Sequence, residues 1–307
     1  MLIQLFDQPQ PPTFSKLIRF WKRRWFRTLP NYYLVLLLNA LFVYTGFTKG
    51  NIEEFNWKFF LFLHNFSGYF TDFFWESWSL SVEEWFYLLT PLALLFTIAI
   101  IKPGTSKKFA ILSVILFFIF SPLVYRLYHL PMQVDAFWYD VKFRKVVLMR
   151  LDAIMYGVLF AWFKIYAKDL WEKHAKTCFV CGLMILYAVI ASRQDPNSFY
   201  AKSFYFSFVS LGAAMLLPLA EQTKSFSTRV GKSITHISIV SYSMYLLNLG
   251  IIASVISAHF MPASPSGALV WYLIYWIAVF IFSTLLYNYF EKPVMDLRDR
   301  KWGKSGN

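Results

Sequence analysis

Charged and hydroxyl-bearing side chains set within long apolar runs are the residues of this chain best placed to do chemistry, and four groups of them stand out. An ionised side chain at the centre of a bilayer costs about 3 kcal/mol, so such residues are kept for function or for a partner. The first group is Arg23-Arg24-Trp25-Phe26-Arg27-Thr28-Leu29-Pro30. Arg24 and Arg27, three apart, share a face of a helix, and their guanidinium forks could grip a phosphate-bearing ligand. The same arginines also suit a second role, as topology anchors beside a first membrane helix.

The second group is Trp78-Ser79-Leu80-Ser81-Val82-Glu83-Glu84-Trp85-Phe86-Tyr87. Ser81 and Glu84 have the spacing of a capping box, which would place a helix start at Ser81. Glu83 points about 100° away from Glu84 around that helix and is left to accept a proton or orient a hydroxyl. The third group, Arg150-Leu151-Asp152, puts opposite charges two residues apart. They cannot pair along one helix face, so each calls for a partner on another element, as a catalytic group or as half of a buried ion pair. In the fourth, Ser241, Tyr245 and Asn248 recur four and three apart beside Tyr242. That stripe serves a site or joins helices by hydrogen bonds.

His64 and His129 are further possible bases, although interfacial histidines are commonly solvated and silent. Cys178 and Cys181 lie in an apolar stretch with only His174 near in sequence, so the C-x-x-C spacing predicts no metal site. The chain carries no G-x-S-x-G elbow, phosphate-binding loop, dinucleotide glycine pattern or H-E-x-x-H.

These groups need elements to carry them, and composition says which. With 58% hydrophobic residues, 15% charged and a mean hydropathy of +0.46, the solvent for most of the chain is lipid. The net charge of +13 comes from short basic runs between apolar segments, a membrane-loop pattern and not a nucleic-acid-binding face. A bilayer core of about 30 Å needs about 20 helical residues. Eight runs qualify, at approximately 31–48, 84–101, 109–128, 146–167, 177–192, 203–220, 237–258 and 268–290. The aromatic stretch 55–70, interrupted by Lys58, His64 and Asn65, reads as a helix lying at the interface.

The expected architecture is therefore an all-α polytopic bundle. A basic cytoplasmic segment over 1–30 precedes the membrane domain over 31–290, and a basic cytoplasmic tail occupies 291–307. With both termini in the cytoplasm, 21 of the 30 Lys and Arg fall on the inner side. The first thirty residues are polar and then basic, unlike a cleavable signal. Pro30 is expected at the start of the first span, where its missing N–H costs nothing, and Pro91 inside the second.

Taken together, the groups resemble acyltransferase family 3, polytopic membrane enzymes that O-acylate cell-surface sugars. Trp78 to Tyr87 is similar to that family's most recognisable motif. Arg23, Arg24, Arg27 and Pro30, with Tyr32 and Tyr33, resemble the approach to its third helix. Arg150-Leu151-Asp152-Ala153 with Gly157 resembles a mid-chain motif, Ser241 to Leu246 a late helix, and Glu291-Lys292-Pro293 the close of the domain. Relative to that pattern the chain begins just before the third helix, and Asn248 stands where a late histidine is frequent. The family's early catalytic histidine has no counterpart in these residues: either the true start lies upstream, or the protein is a degraded copy, or another group such as Glu83 or His64 substitutes.

The resemblance implies transfer of an acyl group, typically acetyl, from acyl-CoA to a hydroxyl of a cell-surface or lipid-linked glycan at the inner (cytoplasmic) cell membrane. No permanently bound cofactor is expected, acyl-CoA being a co-substrate. In that scheme Arg24 and Arg27 meet the cofactor, and Glu83, Arg150 and Asp152 do the chemistry. Trp78, Ser79, Ser81, Tyr87, Ser241, Tyr242, Tyr245, Asn248 and Glu291 line or support the site. Two other readings stand beside it: a carrier or flippase for a lipid-linked or acyl substrate, and an inactive fragment of the same family.

Overall fold

The computed structural model describes residues 2–8, 12–68, 73–100, 106–192, 194–222, 228–262 and 264–302. The regular elements among them are all helical. In chain order the α-helices are α1 (Leu2–Phe6), α2 (Phe14–Tyr44), α3 (Ser77–Ile100), α4 (Lys107–Tyr128), α5 (Ala136–Tyr139), α6 (Asp152–Tyr166), α7 (Lys168–Lys173) and α8 (Ala175–Ala191). They continue with α9 (Phe199–Ser203), α10 (Tyr205–Met215), α11 (Leu217–Gln222), α12 (Arg229–Leu247), α13 (Ser254–His259), α14 (Pro265–Leu286) and α15 (Lys292–Trp302). Three π-helices occur among the described residues: Asp140–Arg144 follows α5, and Asn248–Ala253 and Tyr287–Glu291 join α12 to α13 and α14 to α15.

Five helical stretches are long and apolar enough to cross a membrane: Phe14–Tyr44, Ser77–Ile100, Lys107–Tyr128, Val230–His259 and Pro265–Arg300. The other expected spans are shorter. α6 has 15 residues and α8 has 17, and the segment after Tyr205 breaks at Leu216, just before Pro218. Large apolar side chains face outward on these helices, among them Phe117, Tyr187 and Ile190. Such a surface suits contact with lipid.

Two expectations about boundaries are corrected. α2 begins at Phe14, so Pro30 lies in the helix interior and not at its start. The basic residues and the apolar run form one helix of about 46 Å, since nothing between Phe14 and Pro30 breaks it. The stretch 55–70 holds no interfacial helix among its described residues. Two single 3-10 turns, Ile52–Glu54 and Trp57–Phe59, are capped by the side chains of Asn51 and Asn56, and irregular chain follows.

The chain divides into two compact units. The first comprises Met1–Leu17, Phe62–Phe70 and Trp78–Lys224. Here α10 packs on α8 and on α6, and α6 packs on α4. Val134, Phe143, Val146, Met149 and Phe206 form a buried cluster, with Tyr125 and Tyr139 against it. The second comprises Ile18–Leu61, Thr71–Ser77 and Ser225–Asn307. There α12 packs on α14, and Tyr32 and Tyr33 of α2 donate to the carbonyls of Phe59 and Phe60, each at 2.9 Å.

The α8–α10 approach depends on glycine. A Cβ on Gly182 would lie 2.8 Å from the Gly212 carbonyl oxygen and 2.9 Å from the Met215 Cβ, and neither can swing away. Small residues let helices approach closely in this manner. Gly182→Val should therefore lower the melting temperature of the chain in detergent by at least several degrees, the effect of about 1–3 kcal/mol of overpacking. Gly157→Ala, which meets nothing within 4 Å, should leave it unchanged.

Candidate functional site

In the first unit the site is organised around the N-terminal half of α3. The helix starts at Ser77, whose hydroxyl donates back to the Phe74 carbonyl at 2.8 Å within the residues before the motif. Ser81 is thus already inside the helix, and the expected Ser81–Glu84 capping box does not form. A capping serine must precede the helix. The Ser81 hydroxyl is fully buried and lies 3.4 Å from His64 Nε2. Glu84 is buried on the next turn, while Glu83, Ser79 and Tyr87 are half-buried.

His64 is not a solvated interfacial residue. Its loop is tied to α3 and to the stretch before α6. Trp85 Nε1 donates to the Phe62 carbonyl at 2.9 Å, and the Phe66 and Trp85 rings lie 4.5 Å apart. The fully buried Asn65 side chain donates to the carbonyls of Trp78 and Lys145 at 3.2 and 2.6 Å, and the Asn65 backbone carbonyl accepts from the Val147 N–H at 2.9 Å. Phe62 has φ +55°, a conformation that costs a non-glycine residue about 1–3 kcal/mol and collects at functional sites.

Arg150 lies just outside α6, at the end of a 3-10 turn (Val147–Met149). Its guanidinium sits 4.4 Å from the Phe206 ring centre and 5.8 Å from that of Trp78, which Arg144 also approaches at 5.8 Å. Among the described residues no carboxylate forms an ion pair with Arg150, and its buried Nε has no hydrogen-bond partner. Its Nη1 lies 3.5 Å from the Arg144 carbonyl, and Asp152 acts on it electrostatically without pairing with it. A cation set against aromatic faces with no paired acid is suited to meet negative charge on another molecule.

Asp152 is differently placed. It opens α6, is 1% exposed, and pairs at 2.9 Å with Arg126 of α4, which is completely buried. Ser207 of α10 bridges them, accepting from Arg126 at 2.8 Å and donating to Asp152 at 3.1 Å. Arg126 also donates to the Met149 carbonyl at 2.6 Å. The two members of the Arg150/Asp152 motif therefore have partners on other elements, as their spacing requires, and the carboxylate is committed to holding three helices together.

In the second unit the sequence groups meet at Glu291. Its carboxylate, 3% exposed, accepts from Asn31 Nδ2 of α2 at 2.8 Å and from the Ser243 hydroxyl of α12 at 2.6 Å. Arg27 is near enough to act on it electrostatically, and the Tyr242 hydroxyl donates to the Thr28 carbonyl at 2.7 Å. Arg24 is half-buried and Arg27 exposed on α2. The expected stripe of Ser241, Tyr245 and Asn248 comes apart. Ser241 is exposed and donates to its own helix at Ser238, so Ser243 is the serine that faces the interior.

Tyr245 instead reaches Glu76, donating to its carbonyl at 2.8 Å. Asn248 begins the π-helix, and the Glu76 carboxylate accepts the N–H groups of Leu249 and Gly250 there, at 2.8 and 2.5 Å. Sequence reasoning missed Arg126, Glu76, Asn31 and Ser207. Arg126 left a signal, being a lone charge within the apolar run 109–128. Asn31 and Ser207 left none, because one polar residue in a helix does not announce its partner. The cysteines are free thiols, and among the described residues no cluster of three metal-ligating side chains forms.

Comparison with protein-family models, with curated proteins and with solved structures finds no match to this chain.

The Arg126–Asp152 arrangement makes a stability prediction. Arg126→Met should destabilise the first unit by about 3–5 kcal/mol, because it strands a buried carboxylate. Adding Asp152→Leu should recover a large part of that loss, read as melting temperature and abundance in detergent. Equal stability of the single and double variants would show that the two charges act independently.

Proposed function

We propose that this chain is a membrane-bound acyltransferase of the acyltransferase family 3 type, moving an acyl group, typically acetyl, from acyl-CoA to a glycan hydroxyl. One observation carries the reading: sequence groups far apart in the chain converge within their units. The Arg27, Ser243 and Glu291 segments meet at the Glu291 carboxylate, and the Trp78 and Arg150 segments meet at the Trp78 indole.

In the proposed reaction, the acceptor hydroxyl oxygen attacks the thioester carbonyl carbon while its proton passes to the Glu83 carboxylate, with His64, which lies at Ser81 on a different face of α3, as the alternative base. The carbonyl becomes an oxyanion, which the Arg150 guanidinium stabilises. Collapse breaks the C–S bond, and the departing thiolate takes up the proton. Arg24 and Arg27 hold the phosphates of the coenzyme through their forks. Asp152 supports Arg126 and the helices that position Arg150.

The proposed setting is the inner cell membrane, with about eight membrane passages and both termini cytoplasmic, which is the orientation that puts most basic residues inside. The short helices α6 and α8 then cross at about 23–26 Å, within reach of a locally thinned bilayer. With Cys178 and Cys181 replaced by serine, cysteines at Lys232 and Ser266, both exposed, should label from opposite faces of intact cells. Labelling of both from outside would overturn the orientation of the last spans.

The activity test compares two substitutions. Glu83→Gln keeps size and hydrogen bonding but takes no proton, and should cut labelled acyl transfer to the membrane glycan fraction by about 10²-fold or more at unchanged abundance. Ser241→Ala removes an exposed hydroxyl bonded only to its own helix and should transfer at the normal rate. Normal transfer by Glu83→Gln would sink the assignment of the base.

A further inference from the structure

The second unit contains a cavity of about 570 Å³. Its wall comes from Asn39 of α2 with Thr48 and Lys49 beyond that helix, from Phe74 and Trp75, from the π-helix with Ser254 and Ser257 after it, and from Trp271 of α14. Asn39 lies about 18 Å along α2 from Arg27, so the cavity stands apart from the arginines assigned to the coenzyme.

Three features of the wall distinguish it from a packing gap. The π-helix Asn248–Ala253 replaces regular turns, as helices do most frequently at functional sites. Phe74 holds φ +49°. At Gly250 the backbone approaches so closely that a Cβ would lie 2.7 Å from Asn39 Oδ1 and 3.1 Å from Glu76 Oε2. The volume falls in the range of small-molecule sites and well above that of a buried water.

The lining states what would fit. Trp75 and Trp271 bring indole rings to the wall, Trp271 with one face stacked on Tyr275, while Thr48 and Ser257 bring hydroxyls, and Asn39 and Ser254, which already donate to the Val35 and Leu249 carbonyls at 2.9 and 3.0 Å, bring oxygens that accept. A sugar ring has the matching parts, an apolar C–H face and a rim of hydroxyls. Lys49 is the charged residue of the lining, and no acidic residue lines the cavity among the described residues. We propose that this cavity binds an acidic sugar, its ring against the indoles and its carboxylate or phosphate at Lys49. The proposal rests on the acyltransferase reading, in which the ligand is the acceptor glycan, and it narrows that acceptor to an anionic one.

The test is equilibrium binding of glucuronate, glucose 1-phosphate and glucose to the full chain in lipid nanodiscs, with acyl-CoA binding measured in parallel. At least one acidic sugar should bind about tenfold more tightly than glucose, the worth of one charge-assisted hydrogen bond, and Lys49→Gln should erase the difference. Which of the two acids binds separates carboxylate from phosphate. Ser257→Trp, which fills the cavity, should abolish sugar binding at unchanged melting temperature and unchanged acyl-CoA binding. Equal affinity for glucose and both acids, or undiminished binding by Ser257→Trp, would overturn the proposal. Failure of the unaltered chain to bind acyl-CoA would instead strike at the acyltransferase reading.

Discussion

Charge inside an apolar bundle is the constraint on which the rest of this structure depends. A guanidinium or carboxylate removed from water loses far more solvation than a single contact returns, so each must be met by an opposite charge, several dipoles, or a ligand. Arg126 shows the first solution at both of its terminal nitrogens. Asp152, Ser207 and the Met149 carbonyl surround its guanidinium and in doing so fix α4, α6 and α10 with respect to one another. Packing of Gly182 against the α10 backbone then has a defined partner surface to meet.

The same rule gives Glu76 and Glu291 their places. Among the described residues no cation lies at hydrogen-bond distance from Glu291, and Asn31 and Ser243 bring neutral donors to it from two other helices. Glu76 accepts backbone N–H groups that the π-helix leaves outside the regular ladder. The irregular helix and the buried acid are thus explained together: each would carry unmet polar atoms without the other.

Arg150 is the exception that gives the functional reading its weight. It lies between two aromatic rings, with no acid paired to it among the described residues, while Asp152, two residues along, is taken by Arg126. Each guanidinium keeps a buried Nε without a hydrogen-bond partner, but Arg126 has a carboxylate at 2.9 Å while Arg150 has two aromatic rings and the Arg144 carbonyl at 3.5 Å, which separates a structural cation from one able to serve a substrate. Lys49, exposed at the cavity of the second unit, is the other cation assigned to a ligand, beyond the end of α2 that lies far from Arg24 and Arg27.

Much of this was legible in the sequence for a plain reason: lipid compatibility and helical length are properties of local composition. The apolar runs marked the long helices, and the spacing of Arg150 and Asp152 required partners elsewhere. Boundaries were less legible. A capping box at Ser81, a helix start at Pro30 and an interfacial helix over 55–70 all follow from local patterns, and each gave way to longer-range contacts: Asn65 bonding across to Lys145, Trp85 to Phe62, and a basic segment helical enough to extend α2 back to Phe14. Partner choice was not legible at all. That Asp152 goes to Arg126, that Ser243 and not Ser241 faces Glu291, and that Glu76 feeds a π-helix 173 residues away depend on which helix faces touch, and those faces are set only when the whole chain packs.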